Sequence, residues 1–212
     1  MTVETGAAGR AAVRPGGFET RIHGRGGQGT VTASELLSVA AFEDGLFAQA
    51  FPSFGSERMG APVEAYCRIS TDPIRTREPV VEPDALIVQD PTLIHQIDLF
   101  DGLGPDGYLL LNTAASLDEL GLDGLVDRFR RDRLLTVPAT ELAREHLGRS
   151  TPNSALLGGF AALTKVVSMP AITRAILRRF PSAMGDRNVR TAEAAYEYVT
   201  EEAGEVVHAH PD

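Results

Sequence analysis

The residues best suited to chemistry lie in a glycine-rich turn, residues 24–29, which reads Gly-Arg-Gly-Gly-Gln-Gly. A short β-like run, 18–23, precedes the turn, and an amphipathic segment, 30–44, follows it. This order predicts a strand that turns into the N-terminus of a helix. Several backbone N–H groups and the positive end of the helix dipole would then surround one point. The turn is therefore predicted to bind a phosphate or another anion, with Arg25 beside it.

The spacing Gly24-x-Gly26-x-x-Gly29 also matches the fingerprint of dinucleotide-binding folds. That fingerprint requires an acidic residue near the end of the second strand, where it holds the ribose hydroxyls. The corresponding stretch, 46–51, contains no carboxylate. A site for NAD is therefore disfavoured, and a stand-alone Rossmann-type nucleotide-binding protein is the alternative interpretation. A further alternative is that the glycines serve only the tight packing of strand and helix.

A second unusual segment is the loop 53–62, which follows the second predicted strand and contains two glycines and charges of both signs. Its apolar side chains, Phe54 and Met59, need something to pack against in so flexible a loop. We expect the loop to dock on a partner or to line a site. The alternative is an ordinary solvated loop.

The segment 151–160 predicts the start of a helix that Thr151 or Asn153 could cap. Gly158 and Gly159 fall inside this helix, where each destabilises it by about 1 kcal/mol relative to Ala. Glycines at such positions allow two backbones to approach closely. They predict tight helix packing, either within the domain or across a subunit interface.

The sequence contains no recognisable catalytic set. Its five histidines are scattered, and His23, beside the turn, is interpreted as structural. The single cysteine, Cys67, excludes an intrachain disulfide and an iron–sulfur or cysteine-based zinc ligand set. Cys67 is interpreted as a core residue of an alternating run, 62–70, which predicts a half-exposed strand, antiparallel or at a sheet edge. An anion-binding turn without a catalytic set indicates one part of a larger assembly.

Apolar runs alternate with helical patterns along the chain. The predicted strands are 18–23, 46–51, 62–70, 85–89, 108–112 and 134–137, and the predicted helices are 30–44, 117–131, 139–147, 153–168, 170–180 and 187–202. This alternation predicts an α/β fold, Rossmann-like and layered, with a mostly parallel sheet and C-terminal helices packed on it. We expect a disordered N-terminal tail over 1–17, one folded domain over 18–204 and a frayed C-terminal tail over 205–212.

Net charge and hydropathy disfavour nucleic-acid-binding and membrane-spanning proteins. The net charge of −9 disfavours nucleic acid or an anionic membrane as a partner. No apolar run approaches the roughly 20 residues needed to cross a bilayer, and residues 1–17 lack the apolar stretch of a signal peptide. We therefore expect a cytoplasmic protein that binds neither nucleic acid nor membrane.

Three segments together resemble one known family. They are residues 24–33 (GRGGQGTVTA), 48–63 (AQAFPSFGSERMGAPV) and 152–158 (PNSALLG). This combination resembles the gamma subunit, or gamma domain, of the 2-oxoacid:ferredoxin (or other acceptor) oxidoreductases, which act on pyruvate, 2-oxoisovalerate, phenylglyoxylate and related acids. The first two segments are long and stand in the family's order, and the likeness covers nearly the whole predicted domain.

The resemblance implies a non-catalytic subunit of a multi-subunit enzyme. Such an enzyme oxidatively decarboxylates a 2-oxoacid to an acyl-CoA, with thiamine diphosphate and Mg on its alpha and beta subunits. Its 4Fe–4S clusters carry electrons to ferredoxin or, through a flavin subunit, to another acceptor. The gamma subunit holds none of these cofactors. It packs against the alpha, beta and ferredoxin-like subunits and helps form the region that coenzyme A, the co-substrate, approaches.

Loop chemistry and family position together assign the candidate residues. Those expected to bind coenzyme A or a subunit edge are Arg25, Gly26, Gly27, Gln28, Gly29 and Thr30. Those expected at an interface with other subunits are Phe54, Ser56, Glu57, Arg58, Met59 and Asn153. No residue of this chain is expected to be catalytic or to ligate a metal. The sequence leaves open the 2-oxoacid, the acceptor, the subunit stoichiometry and the choice between coenzyme A and a neighbouring subunit at the turn.

Overall fold

The computed structural model describes residues 13–14, 16–53, 59–125 and 127–209. Its strands are β1 (Phe18–Arg25), β2 (Phe47–Pro52), β3 (Pro62–Ser70), β4 (Ala85–Val88), β5 (Tyr108–Asn112) and β6 (Leu134–Val137). Its α-helices are α1 (Thr30–Glu43), α2 (Ala139–Leu147), α3 (Asn153–Thr164), α4 (Met169–Arg179) and α5 (Ala183–Ala209). Short 3₁₀ turns occur at Pro91–His95, Asp123–Leu125 and Arg131–Arg133.

The six strands form one mixed sheet in the order β2-β3-β1-β4-β5-β6. The neighbours β1, β4, β5 and β6 run parallel to one another. Strand β3 is antiparallel to both β1 and β2. Three of these five pairings are parallel, so the predicted α/β fold with a mostly parallel sheet is confirmed.

Strand β3 is antiparallel, as the alternating pattern predicts, but the expectation that it is half exposed is wrong. The residues Ala65–Ile69 are all buried, including Tyr66 and Arg68. Segments outside the sheet cover both faces of this strand, so the polar residues of the alternation are enclosed as well.

The sheet has two unlike sides, because successive strand residues point to opposite faces. On the helix side, residues of all five helices form one core with strand residues such as Ile22, Ile87 and Leu110. On the loop side, Leu86 and Leu109 pack against apolar residues of the segments that follow β4 and β5. The helices therefore build one core, and irregular connections build the other.

Helix α3 is buried along its whole length at the centre of the helix side. A methyl group at Gly158 would collide with the backbone of Ala192 in α5, 2.6 Å from its carbonyl carbon. Of the two alternatives for this glycine, the structure shows close packing within the domain.

The helix predicted over 117–131 is wrong. Within its described residues this stretch forms only irregular turns, among them the 3₁₀ turn Asp123–Leu125. Gly121 takes φ +69°, a conformation that ends helices rather than continuing them. Leu117 and Phe129 are nevertheless buried in the loop-side core. Their helical spacing therefore reflects separate anchoring points and not one helix face.

Two helix boundaries also differ from prediction. Helix α3 ends at Thr164, earlier than expected, because Lys165 adopts the left-handed conformation with φ +57°. Helix α5 starts before residue 187 and continues past residue 205, where the frayed tail was expected to begin. None of the described helices, α5 included, is both long and apolar enough to cross a membrane.

The N-terminal segment contributes to packing before β1 begins. Val13 is only 6% exposed in the helix-side core, and Arg14 forms an ion pair with Asp84. Both residues fall within the tail predicted over 1–17. Residues 1–12, residue 15 and residues 210–212 lie outside the described part of the chain.

Candidate functional site

The glycine turn lies where β1 passes into α1, as predicted. Strand β1 continues through Arg25, which pairs with Pro62 of β3, so the turn itself spans 26–29. Gly29 precedes the helix with φ +79°, a backbone conformation that favours glycine. Helix α1 has no side-chain cap and no acidic residue in its first turn. Its first backbone N–H groups are therefore left for an anion or a partner.

The guanidinium of Arg25 ties the turn to two other segments. Its Nε donates to Asp90 Oδ2 at 3.0 Å, and its NH1 donates to the Gly60 carbonyl at 3.0 Å. Its NH2 donates to Thr92 Oγ1 at 2.7 Å and to Gln96 Oε1 at 3.0 Å. Every nitrogen of this side chain thus has a protein partner. Arg25 acts as a clamp between the turn and the segment after β4.

Gln28 and Thr30 complete the same network. Gln28 Oε1 accepts from the backbone N–H of Arg25 at 2.8 Å, and its Nε2 donates to Asp90 Oδ2 at 2.9 Å. Thr30 Oγ1 donates to Gln89 Oε1 at 2.8 Å in a buried position. The polar side chains of the turn therefore shape it, as do the backbone N–H groups of Gly26 and Gln28, which donate to the Ala61 and Arg25 carbonyls.

Asp90 is the anionic centre of this network. Its Oδ1 accepts from the backbone N–H of Thr92, so it caps the turn Pro91–His95. Partial burial opposes ionisation, but hydrogen bonds from Thr92 and Gln28 and the charge of Arg25 outweigh it and lower the pKa of Asp90. The carboxylate is therefore ionised at neutral pH and matched to Arg25.

Three open spaces surround the turn. The turn cleft, about 480 Å³, lies beside Gly27, Thr30 and Met59. The strand-end cleft, about 400 Å³, lies at the carboxyl ends of β4 and β5, next to Asn112. The helix-end cavity, about 250 Å³, lies between Gly29 and the first turns of α3 and α5. A larger space of about 620 Å³ lies at the amino ends of β4 and β5, whereas ligands of parallel sheets bind at the carboxyl ends.

The fold brings two predicted interface residues, Met59 and Asn153, to the turn. The segment at Met59 bridges Gly26, and Gly60 N donates to the Gly26 carbonyl at 3.2 Å. The Met59 side chain is 93% exposed. On the other side, a Cβ placed on Gly29 would lie 2.9 Å from Asn153 Nδ2. The other predicted interface residues, Phe54, Ser56, Glu57 and Arg58, lie outside the described residues.

The predicted cap of α3 is wrong. The residue at the cap is Pro152, and neither Thr151 nor Asn153 satisfies the helix end with its side chain. Asn153 Oδ1 accepts only from the adjacent Ser154 N–H, at 3.2 Å. Packing against the glycine turn, which is distant in sequence, sets the orientation of this amide.

The polar residues at the ends of β4 and β5 are not among those predicted from the sequence. Asn112 Nδ2 donates to the Gln89 carbonyl at 2.7 Å and to Thr140 Oγ1 at 2.8 Å. Asn112 Oδ1 accepts from Thr140 N–H at 3.0 Å and so links β5 to α2. The signal was available, because Gln89 and Asn112 each close a run of buried apolar strand residues, where α/β folds bind ligands.

His23 and Cys67 are enclosed. His23 is 2% exposed, and its Nδ1 lies 3.6 Å from Glu64 Oε1. Burial lowers the pKa of His23 to about 4, although the Glu64 charge opposes this shift. Burial also raises the pKa of the Cys67 thiol. Both side chains are therefore neutral at pH 7, and in the described part of the chain no three His, Cys, Asp or Glu residues are grouped to hold a metal.

Comparison with known proteins gives a consistent family match. The family model described as pyruvate ferredoxin/flavodoxin oxidoreductase matches residues 19–198. Pyruvate synthase subunit PorC of Methanothermobacter marburgensis is 46% identical over 180 residues, which cover 85% of this chain and 96% of the relative. The pyruvate/ketoisovalerate oxidoreductases common subunit gamma of Pyrococcus furiosus is 44% identical with the same coverage of both chains. The crystal structure of pyruvate oxidoreductase subunit PORC of Thermotoga maritima superimposes with a TM-score of 0.71 at 35% identity, covering 85% of this chain and 96% of that one.

Proposed function

The chain belongs to the pyruvate ferredoxin/flavodoxin oxidoreductase family as a gamma-type subunit, and we propose that it works within a thiamine diphosphate-dependent complex that converts a 2-oxoacid to an acyl-CoA. The observation that carries this proposal is the family match across nearly the whole folded domain. The alpha, beta and ferredoxin-like subunits are the partners in this proposal, and the compartment is the cytoplasm.

The proposed division of labour leaves the redox chemistry to other chains. Thiamine diphosphate, Mg and the 4Fe–4S clusters reside on the partner subunits, which pass electrons to ferredoxin or to a flavin subunit. This chain contributes the glycine turn and the residues beside it as a binding surface. Its buried, neutral His23 and Cys67 support a role in packing and not in proton transfer or nucleophilic attack.

The glycine turn is the proposed region that coenzyme A approaches. Free N–H groups at the start of α1 can bind a phosphate oxygen. Arg25 does not offer a free guanidinium, since all of its nitrogens already bind protein groups. Its proposed contribution is therefore to hold Gly26–Thr30 in shape and to fix Gly60 beside the turn.

The exposed Met59 continues this edge toward the proposed subunit interface. Its side chain is almost fully accessible although it is apolar, which favours coverage by a partner. We assign Phe54, Ser56, Glu57 and Arg58 to the same contact because they closely precede Met59 in the sequence. Asn153 lies on the opposite side of the turn.

Affinity purification of the tagged full chain from its source organism tests the proposed function. The eluate should contain larger, brown iron–sulfur chains and should reduce viologen with a 2-oxoacid only when coenzyme A is supplied. A panel of 2-oxoacids would then identify the substrate. A colourless chain that purifies alone and is inactive with every 2-oxoacid would contradict the proposal and revive the nucleotide-binding alternative.

The role of the turn is tested separately in the purified complex. Arg25→Ala should raise the KM for coenzyme A several-fold with little change in kcat, because loosening the clamp disorders the turn. The exposed Arg75→Ala removes the same charge elsewhere and serves as the control. An unchanged KM in an intact complex would exclude the coenzyme A role. Altered assembly in Arg25→Ala and Gln28→Ala, without a change in coenzyme A dependence, would assign the turn to a subunit edge instead.

A further inference from the structure

The two edges of the sheet are covered to different degrees. At one edge, three of the four residues of β6 are buried, and α5 packs against this strand. At the other edge, β2 is the one strand of the described residues that has no buried residue. Its sequence, FAQAFP, contains no charge, and only the terminal Pro52 belongs to the residue types that protect an open edge. The edge of β2 is therefore suited to pairing with another strand.

The ladder between β2 and β3 determines which backbone groups of β2 face outward. The Ser53 N–H donates to the Glu64 carbonyl at 2.9 Å, in the register that the two strands share. Because alternate residues of an antiparallel strand bond the neighbour, the N–H and C=O groups of Ala48 and Ala50 point away from β3. No described residue forms a hydrogen bond with these outward groups. Each of the two alanines thus presents a free donor and a free acceptor.

The outward groups of β2 are complementary to those of a second β2. In an antiparallel pair related by a twofold axis at Gln49, Ala48 of each copy lies opposite Ala50 of the other. Every outward donor and acceptor of these two residues is then paired. A shift of the register in either direction places Pro52 or Leu46 opposite one of the alanines. Pro52 has no N–H, and the Leu46 N–H already donates within its own chain.

Apolar side chains are exposed on both sides of this edge. A groove of about 460 Å³ lies between α1 and α4 and reaches Ala48. Phe42 lines the groove and is 69% exposed. Phe47, which is 48% exposed, points to the opposite face of the sheet from Ala48, because successive strand residues alternate. Exposure of two large apolar side chains beside one open strand favours coverage by another protein surface.

The charges of the groove are complementary to a copy of the groove itself. Arg178 pairs with Glu43, whereas Glu35 and Arg179 form no ion pair with any described residue. Unpaired charges of both signs match a second copy and offer no net charge to a strongly charged partner. A stable interface covers about 800 Å² on each partner. A strand of six residues is only about 20 Å long, so the contact must extend over the faces beside it.

We propose that β2 is the interface of a twofold-symmetric dimer of this chain, in which β2 pairs antiparallel with β2 of a second copy. The two sheets then form one continuous sheet, and Phe42 and Phe47 are covered on its two faces. A twofold interface uses the same patch on both copies, and the self-complementary edge meets this requirement. Pairing through β2 needs no cofactor, substrate or larger chain, so it does not rest on the proposed function.

Disulfide cross-linking of the full chain tests the register. The single native cysteine, Cys67, is buried and does not interfere. In the proposed pair the two Gln49 Cα atoms lie about 4.5 Å apart, a separation that a disulfide spans. Gln49→Cys should therefore oxidise to a covalent dimer at least about tenfold faster than two control variants. Phe47→Cys is the control in the same strand, because its copies would lie roughly 13 Å apart, and Arg75→Cys, on an exposed loop, measures random collision.

Sedimentation equilibrium tests the pairing without a cross-link. The chain should sediment as a dimer of subunits of 22.7 kDa. Ala48→Pro should weaken dimerisation at least about tenfold, because it removes an outward N–H and places a ring where the second strand lies. The ladder with β3 does not use this N–H and is kept. Ala48→Gly retains the N–H and should dimerise like the unaltered chain.

The dimer would be contradicted by a chain that stays monomeric at high concentration or by equal oxidation of Gln49→Cys and Phe47→Cys. A dimer that Ala48→Pro leaves unchanged would also contradict it. Thermal unfolding shows whether Ala48→Pro is folded, and the cross-linking result decides if it is not. A chain that is monomeric alone, and whose Ala48→Pro variant no longer purifies with larger chains, would assign β2 to a strand of another subunit and overturn the dimer. These measurements need no redox activity, so their failure is distinguishable from failure of the proposed function.

Discussion

Strand β1 separates two regions that are buried in different ways. Its residues alternate between the helix side, which receives Phe18 and Ile22, and the loop side, which receives Arg21 and His23. All four side chains are at least nine-tenths buried. One strand therefore supports an aliphatic core on one face and an enclosed polar row on the other.

The helix side is stabilised by close packing of apolar side chains. Phe18 contacts Phe160 of α3 edge to face, with ring centroids 6.2 Å apart. Helix α3 approaches α5 so closely that Gly158 has no room for a side chain. Such cores depend on complementary packing, and small changes in volume are felt directly.

The loop side is stabilised by hydrogen bonds, but these do not reach all of its buried polar atoms. Arg21 NH2 donates to the carbonyls of Leu99 and Asp101 at 3.0 and 2.5 Å, and Arg68 forms an ion pair with Glu19. Several polar atoms on this face nevertheless have no partner among the described residues. They are Arg21 Nε, both ring nitrogens of His23, Gln49 Oε1 and Arg68 NH1. Burial by itself therefore does not stabilise the loop side. Its buried polar side chains contribute stability only where they form hydrogen bonds with acceptors such as backbone carbonyls.

The largest expected effect is on the helix side. Gly158→Ala should lower the free energy of unfolding by about 3 kcal/mol, because the new methyl group meets the backbone of Ala192 and not a movable side chain. Urea unfolding measures the change. Gly204→Ala in α5 is the matched control and should stabilise the chain by up to about 1 kcal/mol, since nothing lies within 4 Å of its added methyl. Equal effects of the two substitutions would contradict the packing account.

On the loop side, Arg21→Met should reduce the free energy of unfolding by about 2–3 kcal/mol. The substitution keeps much of the apolar stem but leaves two carbonyls without their charged donor. Arg75→Met, on an exposed loop, should change stability by less than about 0.5 kcal/mol in the same urea experiment. A loss at Arg21 no greater than at Arg75 would mean that the polar row contributes no stability.

His23 should make the loop side sensitive to pH. The pKa of His23 in the folded chain is about 4, below its usual value of 6.5. Between these two pH values, His23 is protonated in the unfolded chain and neutral in the folded chain. The associated stability is present above pH 6.5 and is lost as the pH falls toward 4, by about 2 kcal/mol at pH 5. His23→Met should lose correspondingly less stability between pH 7 and pH 5, and parallel losses in the two proteins would refute this assignment.

The last test concerns the reaction rate of Cys67, which belongs to the helix-side core. Its burial and raised pKa should make the native thiol react with a disulfide reagent more slowly than the urea-unfolded thiol, by roughly two orders of magnitude. The absorbance of the released thiolate measures both rates. Comparable rates would show that the helix side opens far more readily than its packing suggests.

Local patterns predicted the elements that contain the site. The turn 24–29, the helix that starts at Thr30 and the strands 108–112 and 134–137 follow from glycine spacing and apolar runs. These features depend on neighbours in sequence, so sequence reasoning could reach them.

Contacts between distant segments could not be predicted in this way. Arg25 was expected to face a ligand, but its partners Gly60, Asp90 and Gln96 come from two other segments. Asn153 was expected at an interface or as a cap, and the fold places its amide against Gly29. The spacing of apolar residues over 117–131 could not distinguish a helix face from separate loop anchors.

The sequence by itself determined the α/β order of elements, the strand–turn–helix geometry of the glycine turn and, through three local segments, the family. These are properties of short stretches, where backbone freedom and apolar periodicity decide the outcome. Only the tertiary structure decided that Arg25 is a clamp, that β3 is buried on both faces and that three helix N-termini meet at one cavity. Those outcomes depend on which donors, acceptors and surfaces meet when segments far apart in the chain pack together.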